Sequence, residues 1–93
     1  MKYLILDPRP GVKDFTRVAC FCAPTLHKDE AEKWAATHAP VAAGFIEVGG
    51  GGAVRTFGRS DSLGLAPRPN DAALIASFIR ATLAMAQPDR PAA

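Results

Sequence analysis

The chain has no run of apolar residues approaching the ~20 needed to span a bilayer. Its most apolar stretch, Ala72 to Ala86, is interrupted by Ser77 and Arg80, so no membrane partner is expected. The N-terminal apolar run ends at Asp7, too early for the core of a signal peptide. An excess of one charge is also missing: 11 basic and 9 acidic residues leave a net charge of +2. That is too weak to attract nucleic acid or an anionic membrane by itself. Cysteine is scarce, with two residues, and the expected compartment is the cytoplasm, where both thiols stay reduced.

What is present is apolar material for a core. Hydrophobic residues make up 48% of 93 positions and charged residues 22%, which fits one small domain and leaves little room for a second. We expect a single domain over residues 1–86 and a loose tail over 87–93. Frequent alanine, proline and arginine match the composition of GC-rich bacterial coding.

Residues 2–6 predict a short buried strand, ended by Asp7-Pro8-Arg9-Pro10-Gly11. Residues 15–22 are rich in β-formers and predict a second strand, closed by Pro24. Thr25 suits the N-cap of a helix from Leu26 to about His38, stopped by Pro40. Ala31, Trp34, Ala35 and His38 recur on one side of it, while Asp29 and Lys33 have the spacing of an ion pair. Val41–Val48 and Ala53–Arg59 predict a hairpin across four consecutive glycines, with Val48 facing Ala53 and Ile46 facing Arg55. Ser62 to Leu65 suggests a short extended piece. Asn70 is then the expected N-cap of a last helix carrying Leu74, Ile75, Phe78, Ile79 and Leu83 on one face.

These elements predict an α+β fold: a two-layer sandwich of order ββαββα, with an antiparallel sheet and both helices on one face.

No pattern of residues carries recognisable chemistry. The glycines at 49–52 lead into Ala53-Val54-Arg55, whereas a phosphate-binding loop must lead into a helix through lysine and a hydroxyl residue. Cys20, Cys22, His27 and His38 are the residue types of a zinc site. However, cysteines two apart on a strand are ~7 Å apart, too wide for one tetrahedral ion. They read as core thiols, with His38 packing or capping the first helix end and His27 exposed in its first turn. Gly58-Arg59-Ser60-Asp61-Ser62 lacks the second glycine of a nucleophile elbow, and its serine and aspartate read as turn residues. Neither an enzyme nor a bound cofactor is expected.

The leading expectation is a non-enzymatic interaction protein, pairing with itself as a homodimer or with another protein. Helices confined to one sheet face leave apolar residues on the other, with Phe15, Phe21, Phe45 and Val54 as candidates for that open surface. The alternative is a nucleic-acid-binding module that uses Arg17, Arg55, Arg59 and Arg68 around the glycine hairpin.

Overall fold

The computed structural model describes residues 1–85. Four strands, β1 (Lys2–Pro8), β2 (Arg17–Phe21), β3 (His38–Val48) and β4 (Val54–Phe57), form one antiparallel sheet in the spatial order β2-β1-β3-β4. With the helices α1 (His27–Glu32) and α2 (Asp71–Met85), the element order is ββαββα. The α+β class and the antiparallel sheet are as the sequence predicts. The expected tail over 87–93 lies outside the described residues.

The position of the helices differs from expectation, and β1 explains why. Tyr3, Leu4, Ile5 and Leu6 are successive residues with no exposed surface. Side chains alternate across a sheet, so an unbroken apolar run must be covered on both faces. Tyr3 and Ile5 share one face with Ala42 and Ile46, where Leu74, Ile75 and Ile79 of α2 pack on them. Leu4 and Leu6 share the other with Ala19 and Ala43, under Ala31 of α1, Trp34, Leu63 and Leu65. The helices therefore cover opposite faces rather than one, and the two-layer arrangement is replaced by cover on both sides.

The first helix is shorter than its periodicity predicts. It ends at Glu32, and His38 opens β3 instead of closing a helix. Pairing of Pro8 with His38, and a bond from the Arg9 N–H to the Thr37 carbonyl (2.8 Å), extend the sheet into this segment. Pro40 sits inside β3 beside the bulge at Ile5 and Leu6, where a missing donor is tolerated. The N-cap position is Leu26, without a side-chain cap bond. Thr25 instead offers its carbonyl to the Lys2 ammonium at 2.8 Å. Lys33 pairs with Glu30 (2.7 Å), not Asp29.

Six helical residues, about 9 Å of helix, cannot cover a sheet face. The segment 58–66 completes the cover. Ser60 exchanges backbone bonds with Leu65 (2.8 and 3.2 Å), its hydroxyl accepts from the Leu63 N–H (3.3 Å), and Leu63 and Leu65 are turned onto the core. The expected extended piece at Ser62–Leu65 is reduced to one bridge, Ser60 to Leu65.

The hairpin register is one residue away from expectation. Phe45 pairs with Phe57, Ile46 with Thr56, Glu47 with Arg55 and Val48 with Val54. The connection is 49–53, an odd-length turn in which Gly51 (φ 72°) and Gly52 (φ 81°) take the left-handed conformation. A one-residue slip exchanges every side chain of β4 between faces. Val54 thus joins the α2 side, and Arg55 joins Phe45 and Phe57 on the other. Gly44 is required for a different reason: a Cβ there would lie 2.9 Å from both the Phe57 carbonyl oxygen and Pro67 Cγ.

Asn70 stands at the N-cap position of α2, its carbonyl accepting the Leu74 N–H (3.1 Å), and the side chain that ties down this end is the buried carboxylate next to it. Asp71, with no exposed surface, accepts the Tyr3 hydroxyl (2.8 Å), the Arg68 N–H (2.8 Å) and Arg68 Nε (3.0 Å). A buried charge is tolerable only with such pairing. The phenol of Tyr3 is pushed well above its ordinary pKa, first by burial and then by the Asp71 carboxylate that accepts its proton.

The folded state thus holds the Tyr3 proton more tightly than the unfolded chain does. The associated stability is fully present below the ordinary tyrosine pKa and falls as pH rises above about 10. Tyr3 is the single tyrosine and Trp34 the single tryptophan, so phenolate absorbance and indole fluorescence each report one site. We expect phenolate absorbance to appear together with unfolding on alkaline titration. Tyr3→Phe should flatten the loss of stability above pH 10 and cost about 1.5–3 kcal/mol at neutral pH in denaturant titration. Asp71→Ala, which removes a buried paired charge, should cost about 3–5 kcal/mol.

Candidate functional site

Among the described residues, two surface grooves are wide enough to receive another molecule. The first, about 240 Å³, lies beside α1 and is lined by Arg9, Lys28, Glu32, His38 and Leu63 among others. The second, about 200 Å³, runs between the C-terminal half of α2 and the sheet, with Met1, Cys20, Ile46, Val48, Phe78 and Leu83 on its walls.

The nearest approach to catalytic geometry stands around His38, the one member of it that lines the α1 groove, and it is not one the sequence signals. His38 is 1% exposed. Its Nε2 faces the Phe15 carbonyl at 3.2 Å, with Asp14 Oδ2 at 3.6 Å. A carbonyl only accepts, so Nε2 carries the proton, and Nδ1 is free to accept the Thr37 hydroxyl at 2.8 Å. Hydroxyl, imidazole and carboxylate therefore stand in line. Asp14 is kept anionic: its pKa is lowered, chiefly by the Phe15 N–H (2.8 Å) and further by the Arg17 guanidinium (3.0 Å). The line lacks the rest of a catalytic centre, however. Thr37 is not on the groove wall, and Arg9, a cation on that wall whose backbone N–H bonds the Thr37 carbonyl (2.8 Å), has its Nε spent on the Ala35 carbonyl at 2.6 Å. What the contacts accomplish is to tie Asp14 and Phe15 to the start of β3.

His27 also corrects expectation. It is 4% exposed, not on the surface. Its Nε2–H donates to the Gly44 carbonyl at 2.9 Å, and its ring stands edge-on to Phe21 (5.3 Å) and Phe45 (5.7 Å). The thiols separate: Cys20 packs against the α2-side core and Cys22 is exposed beyond the end of β2. Burial pushes the Cys20 thiol pKa up, away from nucleophilic chemistry. Among the described residues no group of three or more His, Cys, Asp or Glu could hold a metal ion.

The four arginines suggested for nucleic acid are not gathered. Arg17 lies on β2 and Arg55 on β4, the opposite edges of the sheet, three strand spacings or ~14 Å apart. Each also has a carboxylate of its own. Arg17 pairs with Asp14 (3.0 Å), Arg55 with Glu47 (2.6 Å), Arg59 with Asp61 (3.5 Å) and Arg68 with the buried Asp71 (3.0 Å).

The four suggested interaction residues are likewise divided. Phe15 is exposed ahead of β2 under the Arg17 guanidinium (4.1 Å). Phe21 packs with the α1-side core, and Phe45 stacks on Phe57 (5.8 Å) on that same face. Val54 lies on the α2 side. Exposed apolar surface is instead concentrated at the α2 groove, where Met1, Val48, Phe78 and Leu83 are 60, 54, 39 and 57% exposed. Phe78 and Leu83 were legible as apolar helix residues; that they would line a groove depended on where α2 crosses the sheet.

Treatment with a metal chelator is expected to leave the melting temperature unchanged, as measured by calorimetry before and after dialysis. No protein-family description, curated protein or solved structure matches this chain.

Proposed function

We propose that this chain is a non-enzymatic protein-interaction domain that self-associates through the groove between α2 and the sheet. The observation that carries the reading is the chemistry of that groove. Met1, Ile46, Val48, Phe78 and Leu83 present hydrocarbon, and no charged residue stands on its walls. A small substrate needs a few convergent polar groups to orient it; here the polar side chains on the walls are Thr82, whose hydroxyl is spent on the Phe78 carbonyl at 2.9 Å, and the Cys20 thiol. An apolar protein surface needs only matching shape. Among the described residues no helix is long and apolar enough to cross a membrane, and a cytoplasmic setting fits two free thiols.

The area sets the strength. The exposed parts of Met1, Val48, Phe78 and Leu83 amount to roughly 350 Å², the size of a functional patch on a small monomer. Two such patches pressed together bury about 700 Å², below the ~1,200 Å² of a stable specific complex. The groove alone therefore supports a weak dimer.

Sedimentation velocity from micromolar to millimolar concentration should show a monomer–dimer equilibrium. Phe78→Glu and Leu83→Glu, at positions that are already exposed, should each weaken association at least tenfold with little change in melting temperature. A chain that stays monomeric across this range would refute the reading.

A further inference from the structure

We infer that the outer edge of β2 is where a second copy of this chain adds, strand against strand, about a two-fold axis at Ala19. This rests on the self-association reading and names the element that completes its interface.

The two sheet edges differ. β4 has four residues, one of them the exposed Arg55 in its pair with Glu47. β2 has five residues, Arg17-Val18-Ala19-Cys20-Phe21, with one charge, at its first position. It carries no lysine or proline, and its pairing with β1 runs without a bulge. Those are the usual devices that keep an edge from pairing. Among the described residues, no strand lies beyond β2, and the backbone bonds made outside strands and helices involve none of residues 17–21. Its outward N–H and C=O groups are therefore available to a partner strand.

The strand is also complementary to itself. With Ala19 opposite Ala19 of the second copy, antiparallel pairing sets Val18 against Cys20 on the α2 side and Arg17 against Phe21 on the other. The two Arg17 charges are then four residues apart, ~14 Å, beyond a Debye length of ~8 Å in physiological salt. A guanidinium beside an aromatic ring is a favourable neighbour, and Arg17 already lies over the Phe15 ring at 4.1 Å.

Continuity with the groove points to a second copy rather than an unrelated peptide. Cys20 is both a β2 residue and part of the groove wall. Pairing about Ala19 therefore brings Val18 of one copy, half-buried against the α2-side core, next to the groove of the other. A seam ~17 Å long and ~10 Å deep covers roughly 170 Å² more on each copy. The edge thus adds about 340 Å² over the two copies to what the groove buries, towards the ~1,000 Å² at which a specific contact becomes plausible.

Hydrogen exchange on the wild-type chain, below and above its association midpoint, tests this directly. We expect outward-facing amides of residues 17–21 to exchange at least tenfold more slowly in the dimer, while amides of β4 are unchanged. Val18→Lys should shift the association midpoint at least tenfold higher. If the chain dimerises but the β2 amides exchange equally fast in both states, edge pairing is wrong and self-association through the groove stands. If sedimentation finds a monomer throughout, both are wrong.

Discussion

The carboxylate of Asp71 is the contact on which the arrangement of the whole α2 side depends. It sits without solvent exposure where the central strand, the Pro67-Arg68-Pro69 lead-in and the first turn of α2 converge. A buried charge with fewer partners would be strongly unfavourable, so the position of the Tyr3 hydroxyl and the conformation of Arg68 are set together. With its first turn held at Tyr3, α2 can cross the sheet in few ways. Ile75 falls on Tyr3, Ile5, Ala42 and Ile46. The second half of the helix then reaches Met1, Cys20 and Val48, with Phe78 and Leu83 beside them. The groove is thus a consequence of the anchor: the helix is fixed at one end, and its far end meets the margin of the sheet.

The other face is assembled from smaller parts. α1 is one and a half turns or so of helix, and isolated helices of this length have no stability of their own. It is held by what it packs on. Ala31 contributes to the core, and His27 fills the space between Phe21 and Phe45 while satisfying the Gly44 carbonyl. The 58–66 segment is held in turn by α1, through the bond from the Lys28 N–H to the Ser62 hydroxyl (3.3 Å).

These arrangements account for where the polar chemistry goes. Both histidines, the buried aspartate and the buried serine are engaged in holding segments together. The four arginines considered for ligand contacts are each beside a carboxylate. Among the described residues, the apolar groove beside α2 and the outer edge of β2 are neighbours. They meet at Cys20, which belongs to both.

The order of elements was legible in the residues themselves. Proline and glycine marked the ends of strands, and the 3.6-residue recurrence of Leu74, Ile75, Phe78 and Ile79 marked α2, because those signals act within a few residues. The unalternating run Tyr3–Leu6 also carried the two-sided burial of β1. Tertiary structure decided what depends on distant partners. The helix expected to reach His38 lost its last residues to pairing with Pro8, thirty positions away in the chain. The odd length of the glycine turn moved Val54 and Arg55 to opposite faces from those expected. His27, unremarkable at the start of a helix, became buried because Phe21, Gly44 and Phe45 close around it. The sequence by itself determined which segments were strand and helix, since local propensity and periodicity suffice for that. Which face each helix covers, and hence where a groove and a bare edge remain, arose only from competition among non-local contacts for the same sheet.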